Sequence, residues 1–427
     1  MASLSASALE QLRQEPIDWR FKGFPDLGGR TLAELPGLGL NLRTGGFSLP
    51  IATLRASALE HNLAWMAALV AERGAQLAPH AKTTMSPQLV DRQLAAGAWG
   101  ITVANVSQAR VFTEFGAERI IIANEVIDAV DIAWIARTAQ TQPSFRPYLL
   151  ADSIASVRLL EDGLAAAGTE IPPIPVLVEL GTPGARAGAR TPDQVLEVAD
   201  AVAASPHLRL AGLEGFEGAV PGARRVDREP GIRALLRSAA DALREFGRRD
   251  LLGDEVLVSF GGSAYFDLVL DELAGLRVAD RDATLVLRSG CSLIHDHGLY
   301  AETAPAAARG ALRPALEVRG SVLSRPEPGL AIVGFGRRDV SSDAGLPIPL
   351  RVLRSCEPAG DVPAGSSRVV ALNDQHAFVE VDPMVAVEVG DTLVAGISHP
   401  CTTFDRWRLI PVIDEHDTVV DAIRTFF

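Results

Sequence analysis

"RIIIANEVIDAVDIAWIARTAQTQPSFRPYLLAD", residues 119–152, reads as strand, helix and strand in succession. "RIIIANE" (119–125) is a short apolar run with the texture of a buried strand, and "RPYLLAD" (146–152) is a second. Between them "DAVDIAWIARTAQ" carries helical spacing. Outward from this unit the alternation continues in both directions. Further strand-like runs are "AQLAPH" (75–80), "GITVANV" (100–106), "IPVLVELG" (174–181), "LRLAGLEGF" (208–216), "EVLVSFGG" (255–262) and "ATLVLRSG" (283–290). Helical patterns lie between, among them "SPQLVDRQLAAG", with Ser86 as N-cap and Pro87 at the first helical position. Eight strands with seven intervening helical stretches is the count that an α/β (β/α)₈ TIM-type barrel requires. A doubly wound open sheet shows similar alternation, but the count favours the barrel.

From about residue 312 the helical periodicity stops. Short β-like runs such as "ALEVRGSVLSRP", "IPLRVLRSC", "DTLVAGIS" and "WRLIPVID" are separated by Pro and Gly, as in an antiparallel β domain. "FSLPIATLRASALEHNLAWMAALVAERG" (47–74) gives one more strand and a long amphipathic helix ahead of the barrel. The expected organisation is an N-terminal arm over 1–46, a barrel domain over 47–311 and a C-terminal antiparallel β domain over 312–427.

The 427 residues are 48% hydrophobic, enough chain and enough apolar side chain for a sizeable core. The net charge of −13 is spread without a basic stripe, which argues against nucleic acid and anionic membrane as partners and leaves a small molecule. Cys291, Cys356 and Cys401 are too few and too scattered for a disulfide framework. The N-terminus carries charges where a signal peptide needs an apolar core, and no apolar run approaches membrane-spanning length. These features lead us to expect a soluble cytoplasmic protein.

Lysine is costly at the end of an apolar strand, and "APHAKTTMSPQLVD" (78–91) places Lys82 just past the first barrel strand. That is the face where barrels carry their chemistry, so Lys82 is a candidate Schiff-base lysine, with His80 as the second catalytic candidate. A solvated loop lysine is the plainer alternative. After the seventh strand, Gly261-Gly262-Ser263 offers backbone amides and a hydroxyl to an anion, at the place where barrels commonly bind phosphate. Lysine at one strand and a phosphate cup at another suggest pyridoxal phosphate. Arg186, in "ELGTPGARAGAR", is the candidate to face the cofactor ring, or else a surface arginine. "SGCSLIHDHGLY" places His295, Asp296 and His297 past the eighth strand as metal ligands, acid–base groups or a loop-ordering network. In "ISHPCTTFD", His399 and Cys401 are one residue apart and chemically suited to zinc; "LNDQHAF" adds His376, with a buried structural histidine as the alternative.

Taken together, "PHAKT", "GAWGITVANVSQARVF", "IIIANEV", "GARAG", "LRSGC…HDHG", "LNDQH" and "SHPCTTFDRW" resemble the D-threonine aldolase/D-serine dehydratase family, fold-type III pyridoxal-phosphate enzymes with an alanine-racemase barrel and a C-terminal β domain. The resemblance runs from about residue 47 to the end. It implies Lys82 as the Schiff-base residue, Gly261, Gly262 and Ser263 among the phosphate contacts, Arg186 near the ring, a divalent metal at His399 and Cys401, and a homodimer. It also implies that cysteine at position 401 leans toward zinc and dehydration, where aspartate is typical of the aldolase branch; manganese is the alternative ion. Two positions depart from the family pattern: "AKTTM" stands where "AKTHK" is usual, and Phe216 where a tyrosine is often found. The C-terminal motif also resembles bacterial members described as amino-acid deaminases. The expected activity is dehydration and deamination of a D-β-hydroxy amino acid such as D-serine or D-threonine to a 2-keto acid. The alternatives are aldol cleavage to glycine and an aldehyde, then racemisation, then a non-catalytic pyridoxal-phosphate carrier.

Overall fold

The computed structural model describes residues 3–168, 171–354, 357–363 and 365–427. Cys356 lies outside them. The chain divides into two compact units. One contains the residues up to Ser5 with 67–82 and 90–290; the other contains 6–66, 83–89 and 291–427.

In the first unit, eight parallel strands follow one another in chain order: Gln76–Leu77, Ile101–Val103, Arg119–Glu125, Arg146–Ala151, Ile174–Leu180, Leu208–Gly215, Leu257–Phe260 and Thr284–Leu287. The eighth strand pairs with the first, Leu287 opposite Leu77. The first and second meet through a parallel bridge between His80 and Thr102, with Thr102 N–H donating to Pro79 O at 3.0 Å. The sheet is therefore a nearly closed barrel, as expected. Ala78, Ile121, Tyr148, Leu150, Leu177, Ala211, Leu257 and Val286 fill its core.

Helices after the strands start at side-chain caps that the sequence supplies. Asn105 accepts from Gln108 N, Asp128 from Val130 N, Ser153 from Ser156 N and Thr191 from Gln194 N. Each such cap contributes about 1 kcal/mol and fixes where a helix starts. In the quoted stretch, Asp128 begins the helix Ala129–Thr141, which returns the chain to Arg146 opposite Arg119. Ser86 behaves differently: the helix does begin at Pro87, but the Ser86 hydroxyl bonds the Gln88 side chain at 3.4 Å.

In the second unit the longest strand, Leu316–Glu327, pairs antiparallel with Thr392–Gly396 and with Ile51–Arg55. Ile51–Arg55 also pairs parallel with Leu409–Ile413, so the sheet is mixed at one position and antiparallel elsewhere. The boundary drawn at residue 47 from sequence does not coincide with this division. Ile51–Arg55 is a strand of the second sheet, and the arm packs on that sheet through Ile17, Phe21, Leu32 and Leu35 against Leu409, Ile413 and Val419. The reason is register: Leu54 lies opposite Leu316 and Val412, partners far from it in sequence.

Under this sheet lies an ionic network. Arg351 donates to both oxygens of Glu317 at 2.9 and 2.6 Å, Arg55 adds a third bond at 3.1 Å, and Arg319 reaches Asp417 at 2.5 Å. Burial alone would raise the Glu317 pKa, but the Arg351 hydrogen bonds and the surrounding guanidinium charges hold it at about 2. A carboxylate depressed on folding stabilises the protein above its unfolded pKa of about 4.3, and that stability is lost as pH falls toward the folded value. Acid titration followed by circular dichroism should therefore show loss of stability between about pH 4 and pH 2, in the window between these two pKa values. Glu317→Ala should cost about 3–5 kcal/mol in urea unfolding, because it leaves buried arginines unpaired. An unchanged midpoint would show that Glu317 contributes nothing.

Candidate active site

Lys82 lies at the C-terminal end of the barrel in the one-turn 3₁₀ helix Ala81–Thr83 and is partly buried. His80 precedes it. Desolvation, then the positive charges of Lys82 and Arg288, push the imidazole pKa well below its ordinary value. His80 is therefore neutral near pH 7, and its buried Nδ1 has no hydrogen-bond partner among the described residues. The sequence reading made it a catalytic candidate; the structure supplies a neutral imidazole there, not an imidazolium acid.

The same end of the barrel holds charged residues that the sequence reading passed over. Arg288, just past the eighth strand, pairs with Glu214 of the sixth, and its other nitrogen donates to Gly215 O at 2.6 Å. Both side chains are buried. Glu179 lies in register beside Glu214 on the neighbouring strand. Burial, then the Glu214 charge and a hydrogen bond with Glu125, raise its pKa to about 9, so Glu179 carries a proton at neutral pH. The available signal was the one used for Lys82, a charge at the end of an apolar run.

The Gly261-Gly262 turn does receive an anion, but one of the protein's own. The amides of Gly261 and Gly262 donate to the two carboxylate oxygens of Glu217 at 3.0 and 2.7 Å. Glu217 is fully buried, and desolvation raises its pKa against the pull of these amides. Gly261 has φ +95°, open to glycine and strained for most other residues. A Cβ on Gly262 would fall 2.9 Å from Phe216 Cε2 and 3.2 Å from Glu217 Oε1. Ser263 sits in the turn that follows; the helix begins only at Phe266, with Tyr265 as its N-cap, so Ser263 is not at a helix N-terminus. Arg186 is exposed on its loop with its guanidinium 4.7 Å from the Phe216 ring centroid. The buried arginine of the barrel is Arg288.

The second unit holds a compact donor cluster. Cys291 Sγ, Cys401 Sγ and a ring nitrogen of His399 lie within 4.8 Å of one another, and the sulfurs are 3.3 Å apart. The Thr83 hydroxyl is 3.5 Å from Cys401 Sγ and 3.8 Å from Cys291 Sγ. Asp343 Oδ2 is 2.6 Å from His399 Nδ1, and its other oxygen accepts from Thr402 Oγ1 at 2.7 Å. A carboxylate on one imidazole nitrogen leaves the other for a metal, the usual arrangement of a histidine ligand. Hydrogen bonding with Cys401 is the main influence raising the His399 pKa, to about 9, against its partial burial. The expected pair is thus brought together. Cys291 and Asp343 were missed because 110 and 56 residues separate them from their partners.

The His-Asp-His stretch is an ordering network in part. Asp296 Oδ1 accepts from the amides of Gly298, Tyr300 and Ala301, opening the turn Leu299–Thr303. Burial pushes His295 and His297 down to about 4, leaving both neutral. His376 is exposed in the hairpin between Arg368–Leu372 and Ala377–Glu380, where its carbonyl accepts from Asn373 N.

Two family models match the chain: the "Alanine racemase, N-terminal domain" over residues 54–266 and the "Putative serine dehydratase domain" over 315–413. The chain is thus similar to the D-threonine aldolase/D-serine dehydratase-like proteins. A D-threonine aldolase of Arthrobacter sp is 27% identical over 376 residues, 88% of this chain and 90% of that protein. A 3-hydroxy-D-aspartate aldolase of Paracoccus denitrificans is 26% identical over 366 residues, 84% of this chain and 87% of that protein. The crystal structure of D-threonine aldolase from Filomicrobium marinum superposes with a TM-score of 0.74 at 26% identity, covering 91% of this chain and 97% of that one. By name these relatives are aldolases; a D-threo-3-hydroxyaspartate dehydratase solved in a metal-free form shares the fold, with a TM-score of 0.69 at 20% identity. No helix among the described residues is long and apolar enough to cross a membrane.

The residues present suit both groups. At the barrel end, Lys82 offers an amine and a buried His80 nitrogen has no partner among the described residues, while a phosphate at the Gly261-Gly262 amides would have to take the place of the Glu217 carboxyl. In the second unit, sulfur and imidazole donors suit a soft divalent ion. Gly262→Asp should raise the Kd for pyridoxal phosphate at least about tenfold, since it sets a second carboxylate against Glu217 and leaves buried amides poorly paired. A fluorescence titration giving the wild-type Kd would place the phosphate elsewhere.

Proposed function

We propose that the protein is a pyridoxal-phosphate-dependent, metal-assisted lyase that eliminates water from a D-β-hydroxy amino acid, D-serine or D-threonine, giving an enamine that water then hydrolyses to the 2-keto acid and ammonia. The observation that carries this reading is the soft donor pair: His399, oriented by Asp343, grouped with Cys401. Lys82 would hold the cofactor, and Gly261, Gly262 and Ser263 its phosphate. Arg186 would lie near the ring. When bound, pyridoxal phosphate supplies an electron sink for the pair left at the α-carbon. A divalent metal on His399 and Cys401 supplies Lewis acidity toward a hydroxyl oxygen.

The chain's own groups divide the remaining work. Lys82 is the amine that accepts the α-proton as general base. Glu214 and the Gly215 carbonyl each accept one hydrogen bond from the Arg288 guanidinium, so that its charge stays in one place. Glu179, protonated near pH 7, presents an O–H donor where a carboxylate would only accept. The neutral His80 imidazole adds no charge to an end already carrying Lys82 and Arg288.

Aldol cleavage is the second reading, favoured by the aldolase names of the curated relatives. Product analysis decides between them. D-Threonine should yield 2-oxobutanoate and ammonia; glycine and acetaldehyde without 2-oxobutanoate would replace dehydration by aldol cleavage.

A further inference from the structure

We propose that Cys291 is a third protein ligand of the metal, completing a Cys₂His site with one open position; this rests on the metal-assisted reading above. With metal–sulfur bonds of about 2.3 Å, two thiolates on one tetrahedral ion lie about 3.8 Å apart. The two sulfurs are already 3.3 Å apart, so binding requires them to separate by only about half an ångström. No backbone rearrangement is needed to recruit Cys291.

The surroundings of Cys291 are those of a ligand. A structural cysteine normally packs as a small apolar side chain. Cys291 is buried, yet it faces a second sulfur and the Thr83 hydroxyl, which lies within 4 Å of both sulfurs. The Tyr300 hydroxyl also hydrogen-bonds Cys291. Hydroxyl groups beside paired sulfurs stabilise thiolate charge. His399 completes the triangle, with its Nδ1 fixed by Asp343 and its second nitrogen left for the ion.

Three protein ligands and a vacant fourth position is the pattern of catalytic zinc, while structural zinc takes four protein ligands. The open position suits an oxygen ligand, such as a substrate hydroxyl or water. Two thiolates and an imidazole select soft or borderline ions. Zinc and cobalt(II) should bind tightly, manganese and magnesium poorly. A site made of His399 and Cys401 alone, with waters completing it, would discriminate less.

Cobalt(II) and zinc binding to the metal-free holoenzyme test this without reference to turnover. Thiolate-to-cobalt charge transfer absorbs in the near ultraviolet and scales with the number of sulfurs bound. Cys291→Ser should show about half the wild-type band, and its zinc Kd should rise beyond the roughly 10- to 100-fold expected from losing only a ligand's hydrogen-bond partner. Full band intensity and wild-type zinc affinity in Cys291→Ser would overturn the assignment while leaving the His399–Cys401 site standing. Wild-type protein that takes up neither ion would sink the metal reading and this inference with it. Competition on the unmodified protein gives a second, variant-free measurement: about 100-fold excess manganese should not displace zinc, and displacement would overturn the two-thiolate site.

Discussion

Lys82→Ala should yield a colourless protein that retains no borohydride-reducible cofactor and has lost at least about 10²–10⁴-fold of its activity, the span attributed to a positioned proton-transfer group alone. Lys82 follows the first barrel strand on the face where barrels place their chemistry. An amine there serves twice, as the group that joins the cofactor carbonyl and as the base for the α-proton. Lys82→Arg separates these roles from charge. Arginine keeps the positive charge near His80 but cannot be deprotonated to act as a nucleophile. It should be as colourless and inactive as Lys82→Ala while melting nearer to wild type. Absorbance spectra before and after borohydride, with mass spectrometry of the reduced protein, provide the check. A Lys82→Ala protein that keeps a reducible linkage would require another lysine to hold the cofactor.

The barrel was legible because its signals are local. Eight apolar runs recur at intervals set by one helix each, and Asn105, Asp128 and Ser153 start helices within a few residues of the preceding strand. Strand positions followed closely: the run 119–125 is the strand Arg119–Glu125, and the run 283–290 contains Thr284–Leu287. What the sequence did not disclose was the home of Ile51–Arg55. Its pattern says strand, but it does not say which sheet. Leu54 is paired with Leu316 and Val412, and no local spacing encodes partners so far along the chain.

The candidate site divides in the same way. Lys82 stood out because a cation ends an apolar run. Glu179, Glu214 and Arg288 end their runs in the same manner, yet their significance depends on barrel closure. Glu214 lies on the sixth strand and Arg288 just past the eighth, with a third strand between, so only the assembled sheet brings them together as a pair. Gly261 and Gly262 read as a phosphate cup, and nothing local discloses that the Glu217 carboxyl lies against their amides. His399 and Cys401 announced themselves by adjacency. Cys291 did not, since a cysteine distant in sequence becomes a candidate ligand only when folding brings its sulfur to 3.3 Å from another.

Chelation should remove the activity while leaving the cofactor's visible absorbance in place. On the proposed function the two groups would rest on different residues: Lys82 and the Gly261-Gly262 turn for the cofactor, His399 and Cys401 for the metal. Expulsion of hydroxide from a β-carbon is unfavourable near neutral pH without an electrophile, so loss of a Lewis acid worth several kcal/mol should slow turnover by at least about 10³-fold. Thiolate ligands reduce that acidity in part through their charge, but an open position still admits a hydroxyl. Asp343→Asn provides a graded form of the same experiment. It removes the carboxylate that orients His399, and should weaken zinc binding about 10- to 100-fold while leaving pyridoxal-phosphate affinity unchanged. Cys401→Asp exchanges a soft donor for a hard one and should move the preference toward manganese, with some glycine released from D-threonine. Full conversion of D-serine by chelated protein, verified metal-free by elemental analysis, would remove the metal from the mechanism and return expulsion of the hydroxyl to side chains alone.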